Sequence, residues 1–262
     1  MSTAAHAIRD SATMLRRNLR RTIRYPAGPA STVAVPVVIL LLFAGVFGDT
    51  MGVGLAGPTG GRAEYLAYIT PAVLLISVAG ASQAVAISVA MDMAEGIVTR
   101  FRTMAIARGS VLTGHVVGNL LQTMIALVVV TSLAIVLGFR PSATAVEWVA
   151  AAGLLGLISF AVIWLSVAMG LVTDSVETAS NLPMPLFLLP FLGSGFVPTD
   201  SMPTAMRWFA EYQPFTAFIE TVRGLLTGTS IGWHGVAAVA WSVVIGLGGW
   251  AWARHLYDRD PT

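Results

Sequence analysis

The residues that could carry out catalysis are few and lie far apart in the sequence. There is no cysteine and no lysine, since all 15 basic residues are arginine. These absences exclude disulfides, thiol nucleophiles, Schiff-base lysines and a P-loop, whose lysine contacts the nucleotide phosphates. No HExxH or GxSxG sequence occurs, and the four histidines are scattered along the chain: His6, His115, His234 and His255. The sequence therefore indicates no catalytic centre and no metal or cofactor held by this chain.

A cluster of charged residues at 92–108 is suited to protein docking. Acidic residues come first and arginines last: Asp92, Glu95, Arg100, Arg102 and Arg108. This order complements a helix macrodipole. Apolar residues inside the cluster follow helical spacing: Ile97, Phe101 and Met104. The pattern predicts a short helix with an exposed apolar knob that docks in a groove of another protein. The alternative is a charged loop that only anchors two spans.

The N-terminal residues 5–24 are predicted to form an amphipathic helix. An apolar stripe recurs at helical spacing, at Ile8, Ala12, Leu15, Leu19 and Ile23. The other face carries arginines: Arg16, Arg17, Arg20, Arg21 and Arg24. Such a helix would lie in the cytoplasmic membrane interface with its arginines on lipid phosphates. The alternative is a plain basic tail that only sets the topology.

These charged segments are separated by long stretches of uncharged chain. Only 11% of the 262 residues are charged and 56% are apolar, whereas soluble domains carry about 25% charged residues. Six windows contain no charged residue: 25–48, 65–91, 109–139, 148–173, 178–199 and 224–253. Each is long enough to cross a bilayer as a helix. We therefore expect an all-α integral membrane protein with six spans, at about 30–48, 66–90, 110–137, 148–172, 179–197 and 232–253.

The arginines predict the orientation of these spans. If the six spans alternate, eleven arginines fall on the side of the two termini and four on the other side. The positive-inside rule then places both termini in the cytoplasm. The pI near 9.4 is explained by this orientation, so nucleic-acid binding is not expected. With most of the chain in spans, residues 1–262 are expected to form one transmembrane domain.

The polar content of the spans limits the mechanism. No unpaired carboxylate lies inside any predicted span, which argues against ion- or proton-coupled carriers and against intramembrane aspartyl proteases. A transporter of this composition must take its energy from a partner. His115, Asn119 and Gln122 share one face of the third span and could line a cavity. The alternative is that they form hydrogen bonds between helices.

The segment after the fourth span is unusual for a membrane protein. The window 178–199 contains Pro183, Pro185 and Pro190, so a straight span is doubtful. Residues 199–229 are too charged to cross and too apolar for a free loop. We expect two short helices, separated at Pro214, that dip back into the outer leaflet as a re-entrant pair.

Two segments resemble one known family. The 92–108 segment resembles the coupling loop of ABC-2 type ABC-transporter permeases, with a departure at 104–107, where Met-Ala-Ile-Ala replaces a frequent Leu-Pro. The matching residues are Asp92, Glu95, Gly96, Arg100, Phe101, Arg102 and Arg108. Residues 194–228 resemble the family's C-terminal signature through Ser194, Gly195, Phe196, Pro198, Met202, Pro203, Pro214, Thr216, Glu220, Arg223, Leu226 and Gly228. The likeness is closest to the daunorubicin-resistance (DrrB-like) drug-export permeases and covers essentially the whole chain.

The resemblance implies specific roles and partners. The 92–108 residues would couple to an ABC ATPase, and the N-terminal arginines would belong to an interfacial helix on membrane lipids. The exit region would include Phe196, Pro198, Met202, Pro203, Pro214, Glu220 and Arg223. Two copies of a separate ATPase subunit would bind ATP and magnesium. A second permease chain, identical or paralogous, would complete the transporter in the bacterial cell membrane.

The expected function is export of lipophilic drugs or natural products by a transport subunit that is not itself an enzyme. Spans rich in Ala, Val, Leu and Gly, with aromatic residues near their ends, weakly favour a hydrophobic small molecule. Two alternatives stay open. One is an ABC exporter of a lipid or polysaccharide. The other is a membrane immunity or scaffold protein that sequesters a toxin without transport.

Overall fold

The computed structural model describes residues 27–95 and 108–258, and within these ranges the chain is helical, with no strand. The helices, in chain order, are α1 (Ala27–Leu42), α2 (Gly48–Ala56), α3 (Arg62–Ala94), α4 (Arg108–Leu137), α5 (Ala145–Val172), α6 (Val176–Asn181), α7 (Met184–Leu188), α8 (Thr204–Tyr212), α9 (Pro214–Thr227) and α10 (His234–Asp258). A π-helical turn at Phe43–Phe47 joins α1 to α2 without a break. Short 3-10 turns occur at Gly57–Thr59 and Thr199–Ser201.

Five helical stretches in the described ranges are long and apolar enough to cross a membrane. They are Thr32–Leu55, Arg62–Ala94, Val116–Leu137, Ala145–Val172 and His234–Leu256. The protein is therefore a multi-pass membrane protein. The prediction of an all-helical membrane fold is confirmed at this level, whereas the count of six crossings stays a prediction.

Helices α3 and α5 form the centre of the bundle. The most apolar part of α3 is 72% buried inside the fold and that of α5 is 61% buried. In the other three candidate spans the buried share is 28%, so most of their apolar surface faces outward. Apolar surface of this extent is suited to lipid or to another membrane subunit.

Glycines allow α5 to lie very close to its neighbours. A Cβ atom on Gly249 of α10 would lie 2.5 Å from the backbone nitrogen of Leu165, and one on Gly170 would lie 2.7 Å from the carbonyl oxygen of Ala86. Helices in lipid associate through such small residues because close backbone approach increases van der Waals contact. The two glycines therefore fix where α5 crosses α10 and α3.

Polar side chains cap the N-terminal ends of α3 and α5. The amide of Gly61 donates to the carboxylate of Glu64 at 2.8 Å at the start of α3. At the start of α5, the amide of Thr144 donates to Glu147 at 2.6 Å, and the Thr144 hydroxyl accepts from the amide of Glu147. These bonds satisfy amide groups that a helix start leaves without partners.

The first predicted span, about 30–48, is longer in the structure. The glycine-rich composition of residues 49–62, with turn signals at Gly57-Pro58 and Gly60-Gly61, predicts a loop, but α2 continues the helix to Ala56. There is no room for a side chain at Gly52, where a Cβ atom would overlap the carbonyl of Gly61. The glycines thus let α2 pack against the start of α3, which compensates for their low helix propensity.

The predicted fifth span, 179–197, is not one continuous helix. It consists of α6, α7 and a series of turns that extends to Val197. The hydrogen bonding of a continuous helix is interrupted at Pro183, Pro185 and Pro190, because proline lacks the amide that an inner helical turn requires. The other predicted spans differ from α3, α4, α5 and α10 only in where they begin and end.

Candidate functional site

A buried arginine joins three segments of the chain. Arg223 of α9 is 8% exposed. Its Nη2 atom donates to the carbonyl oxygens of Tyr68 at 3.1 Å and Ser194 at 2.8 Å, and Nη1 donates to the Glu220 carboxylate at 2.5 Å. The guanidinium also lies over the Tyr68 ring, 3.8 Å from its centroid. Arg223 therefore fixes α9 to α3 and to the turns that precede Thr199.

The loop ends confirm that this junction lies at one end of the bundle. The amide of Ser142, between α4 and α5, donates to the carbonyl of Leu226 at 3.1 Å. The N-terminal ends of α3, α5 and α10 therefore lie at the same end of the bundle as α9. Ser194 and Gly195 are held there too, since a Cβ atom on Gly195 would lie 2.8 Å from the Cβ of Ala72.

A partly open cleft of about 600 Å³ lies beside this junction. Two carboxylates and two aromatic rings line it: Glu211, Glu220, Tyr212 and Trp233. Ser194 and His234 also line it, and the Ser194 hydroxyl is buried without a hydrogen-bond partner in the described structure. The cleft thus combines apolar faces with acceptor groups, as small-molecule sites do.

The carboxylates of the cleft are held by arginines. Nε of Arg207 donates to Glu211 at 2.6 Å, and Nη2 of Arg207 lies 2.7 Å from Asp200. The hydrogen bond to Glu211 and the negative charges of Asp200 and Glu211 raise the pKa of Arg207. Arg207 therefore stays charged at every physiological pH. Arg207 and its two carboxylate partners are largely exposed, unlike the buried Arg223.

A cluster of phenylalanine rings joins the π-helical turn to the broken segment. Phe196, 7% exposed, stacks on Phe191 with centroids 4.9 Å apart and contacts Phe43 at 4.6 Å. Phe43 in turn contacts Phe47 at 5.6 Å. Single-turn π-bulges are frequent at functional sites, and this one carries Phe43, whose ring contacts Phe196. The predicted exit-region residue Phe196 is thus part of a packed apolar cluster.

The other predicted exit-region residues occupy the ends of short helices. Pro198 precedes the 3-10 turn, Met202 follows it, and Pro203 precedes α8. Pro214 opens α9, where its missing amide costs nothing. The structure therefore has two short helices that meet at Pro214, and their insertion in a membrane stays a prediction.

Of the predicted docking residues, Asp92 and Glu95 lie at the opposite end of α3 from the cleft. Asp92 is buried in the last turn of α3, 1% exposed, and it is not left unpaired. Glu95 is exposed and ends the helix. Gly96, Arg100, Phe101 and Arg102 lie outside the described residues, as does the Arg108 side chain. The role of this set stays a prediction.

Two other predicted sets are only partly within the described structure. The interfacial-helix arginines Arg16, Arg17, Arg20, Arg21 and Arg24 lie outside the described residues, and so does the side chain of His115. Asn119 and Gln122 are half-buried on α4 and each interacts with a neighbour. Whether they line a cavity stays a prediction.

Several residues of the junction and cleft were not selected from the sequence. They are Tyr68, Glu211, Tyr212, Gln213, Trp233 and His234. Gln213 Nε2 donates to the carbonyl of Leu189 at 2.9 Å, which ties α9 to the turns. The available signal was the polar and aromatic character of 211–213 beside Pro214. In the described part of the chain, no three histidine, aspartate or glutamate residues come together as a metal site.

Comparisons with known proteins give a consistent result. A family model described as ABC-2 type transporter matches residues 10–227. The chain is 27% identical over 230 residues to the daunorubicin resistance ABC transporter permease protein DrrB1 of Streptomyces coeruleorubidus, covering 87% of this chain and 79% of that protein. It is 25% identical over 186 residues to the probable doxorubicin resistance ABC transporter permease protein DrrC of Mycobacterium tuberculosis, covering 68% of this chain and 64% of that protein.

Proposed function

Because the chain belongs to the ABC-2 type transporter family, whose permeases pair with ATPase subunits, we propose that it exports lipophilic drugs or natural products. The chain is a transport subunit of the bacterial membrane without an ATPase domain of its own. In the proposed mechanism, ATP hydrolysed by the partner moves a hydrophobic small molecule out of the cytoplasm or the inner leaflet.

The observation that carries the proposal is the family match over residues 10–227, which includes the docking segment and most of the residues that line the cleft. The names of two relatives point to daunorubicin and doxorubicin resistance, at 27% and 25% identity. The apolar spans are consistent with a hydrophobic cargo. Drug export by this chain is inferred from these likenesses together.

A sixth crossing is proposed within residues 173–197. Gly170 lies against Ala86 near one end of α3, whereas Ser194 meets Tyr68 near the other end through Arg223. Ala86 and Tyr68 are separated by roughly 27 Å along the helix axis at 1.5 Å per residue. This distance is close to the ~30 Å hydrocarbon thickness, which supports a crossing made of short helices and turns packed on α3.

The proposed orientation puts both termini in the cytoplasm and the cleft outside. Eleven arginines against four support it through the positive-inside rule. Helices α8 and α9 would form the re-entrant pair in the outer leaflet. The N-terminal residues 5–24 would form the interfacial helix on the inner leaflet, with the whole chain as one transmembrane domain.

The docking segment 92–108 is proposed to couple this chain to its ATPase. Glu95 is exposed at the end of α3, a position from which it can contact a partner. Two ATPase copies would supply the bound ATP and magnesium. A second permease, identical or paralogous, would cover part of the outward-facing apolar surface.

Transport can be tested with the chain and its ATPase partner reconstituted in lipid vesicles. We expect ATP-dependent movement of a fluorescent anthracycline such as daunorubicin across the membrane. A partner with its P-loop lysine replaced should abolish this movement. The measurement is fluorescence quenching by DNA enclosed in inside-out vesicles.

The alternatives give different results in these vesicles and in cells challenged with the drug. An immunity or scaffold protein would bind the drug and protect cells even with the inactive ATPase. A lipid or polysaccharide exporter would hydrolyse ATP without moving the anthracycline. Either result would contradict drug export by this chain.

A further inference from the structure

One side of the cleft is formed by a short segment of chain that is not helical. Residues 189–197, here named the outer turns, follow α7 as a series of turns, and Ser194 within them lines the cleft. The opposite side belongs to α8 and α9, through residues that include Glu211 and Thr216. The position of the outer turns against α9 therefore sets the width of the cleft.

Side chains at the start and in the middle of α9 hold the outer turns by their backbone groups. Gln213, which directly precedes α9, donates from Nε2 to the Leu189 carbonyl at 2.9 Å, and Nη2 of Arg223 donates to the Ser194 carbonyl at 2.8 Å. The Ser194 amide in turn donates to the Thr216 hydroxyl at 3.3 Å. A change of side-chain rotamer can release such bonds, whereas a helix must unwind to release its own.

The outer turns fit closely against their neighbours. A Cβ atom on Gly193 would lie 2.4 Å from Nε2 of Gln213, and one on Gly195 would lie 2.8 Å from the Cβ of Ala72 on α3. Glycine is the residue that allows an approach of this kind. The structure therefore shows the outer turns in a closed, packed position.

Two buried polar atoms oppose this closed position. The Oγ atom of Ser194 and the Oε1 atom of Gln213 have no hydrogen-bond partner in the described structure, although the two residues are only 3% and 5% exposed. They lie on the two sides of the contact, one in the outer turns and one at the start of α9. Each costs free energy while the contact is closed, and each would bind water once it opens.

The chain before the outer turns adds few buried contacts that would resist movement. Helix α6 has a single buried residue, Ala179, and α7 has none. Segments with few buried contacts open locally at a low cost in free energy. On α3, Gln83 donates from Nε2 to the Ser180 carbonyl at 2.7 Å, so the other end of the segment is attached separately.

From these features we propose that the outer turns are a latch that opens one side of the cleft during export. Gln213 and Arg223 are its positioning residues, because their hydrogen bonds hold it closed. When these bonds break, the outer turns separate from α9, and the buried atoms of Ser194 and Gln213 reach water. This inference rests on the proposed export function, because ATP turnover by the partner would drive the opening.

The test measures how readily solvent reaches Ser194, in the full chain with its ATPase partner in lipid nanodiscs. Ser194→Cys places a thiol of nearly the same size as the hydroxyl in a chain that has no cysteine. A membrane-impermeant maleimide should react slowly with this thiol while the latch is closed, because the reactive thiolate form is disfavoured by burial. We expect ATP to make the reaction faster.

Gln213→Glu, combined with Ser194→Cys, should open the latch without ATP. It places an oxygen opposite the Leu189 carbonyl where a nitrogen now donates, and mildly alkaline buffer keeps the new carboxyl group ionised. We expect the thiol to react about tenfold faster, the factor by which losing a buried hydrogen bond shifts such an equilibrium.

Gln83→Glu is the matched control for this substitution. It makes the same change opposite the Ser180 carbonyl, at the inner end of the same segment. Gln83 lies roughly 22 Å along α3 from Tyr68, at 1.5 Å per residue. The reaction rate of Ser194→Cys should therefore stay unchanged in Gln83→Glu.

A second reporter separates local opening from a general loosening of the bundle. Ser159 is fully buried in α5, and its hydroxyl also has no partner in the described structure. The thiol of Ser159→Cys should stay unreactive in Gln213→Glu and during ATP turnover.

Each outcome decides the latch separately from the export function. An unchanged rate for Ser194→Cys in Gln213→Glu, or equal acceleration at Ser159→Cys, would overturn the latch. Export that proceeds while ATP leaves the Ser194→Cys rate unchanged would also overturn it. Faster reaction in Gln213→Glu but not in Gln83→Glu, in a complex that moves no drug, would support the latch and refute the exporter.

Discussion

At the scale of single residues, Arg223 is the charged group whose surroundings are most fully determined. A charge in a buried position is costly unless hydrogen bonds and an opposite charge compensate it. Here Glu220 supplies the charge, and the carbonyls of Tyr68 and Ser194 supply further acceptors. The planar guanidinium can meet these acceptors at once because its donors diverge in a fixed fork.

Replacing Arg223 should therefore destabilise the protein even when the charge is kept. We expect Arg223→Ala to cost about 3–5 kcal/mol, because it leaves Glu220 partly buried without its partner. Arg223→Lys should cost about 1–3 kcal/mol, since one ammonium group cannot reach all three acceptors. The measurement is thermal unfolding of the detergent-solubilised protein.

Arg207→Lys is the matched control at an exposed ion pair. Both Arg207 and its partners are open to solvent, and such pairs contribute less than about 1 kcal/mol. The unfolding temperature should change little. A drop as large as that of Arg223→Lys would contradict the central role of Arg223.

The sequence identified Arg223 and Glu220 but not what they contact. They were selected by resemblance to an exit region, and the structure adds the carbonyl of Tyr68, 155 positions away. Backbone carbonyls have no sequence signature, and a contact over this separation depends on the packing of α3 against α9. For the same reason the aromatic lining of the cleft could not be predicted.

At the scale of elements, the proline pattern was more informative than the length of the charge-free window. The window 178–199 is long enough for a helix, yet Pro183, Pro185 and Pro190 divide it into α6, α7 and turns. The glycines of 48–56 had the opposite effect, because their composition predicts a loop where the structure has a helix. They form α2 because the gain from close packing on α3 exceeds the loss in helix propensity.

The crossing of α5 and α10 offers a test with neighbouring glycines. Gly249 faces the backbone of Leu165, where a Cβ atom would lie at 2.5 Å, whereas a Cβ atom on Gly248 would meet nothing within 4 Å. We expect Gly249→Ala to lower the unfolding temperature, at a cost of about 1–3 kcal/mol, because the helices must separate. Gly248→Ala should be neutral or slightly stabilising, since alanine favours the helix.

Thermal unfolding of the two variants in the same detergent measures the difference. Equal stability of the two would show that α10 does not approach α5 as closely as described. Because the variants are adjacent and chemically identical, general effects of the detergent cancel.

At the scale of the whole molecule, the broken segment decides the topology. Ser230, between α9 and α10, and Asp174, between α5 and α6, are exposed at opposite ends of the bundle. They lie on opposite sides of the membrane only if residues 173–197 cross it. Since the sequence has no cysteine, single cysteines can be introduced without a background.

We expect Ser230→Cys to react with a membrane-impermeant maleimide in intact cells. Asp174→Cys should react only after the membrane is permeabilised. Mass-shift gels of the labelled protein give the extent of reaction. Reaction of both variants from outside would contradict the sixth crossing and the proposed orientation.

Coupling to the ATPase is a second property of the whole assembly. Glu95→Arg should reduce drug-stimulated ATP hydrolysis by the reconstituted complex at least tenfold, because the reversed charge would oppose the proposed docking in a groove of the partner. Glu177→Ala changes an exposed carboxylate near the same end, on α6, and should leave hydrolysis unchanged. Normal coupled turnover in Glu95→Arg would refute the docking assignment.

Helix α3 links the two ends of the molecule. It has 33 residues, so it is about 50 Å long, and it ends beside exposed Glu95 after passing the Tyr68 carbonyl that Arg223 holds. Pro71 lies three residues beyond Tyr68 and removes one backbone hydrogen bond from the helix there. The weakest point of α3 therefore lies close to the end that Arg223 joins to α9. If the proposed coupling acts at Glu95, a force applied there would tilt the short segment before Pro71, which Arg223 holds beside the cleft.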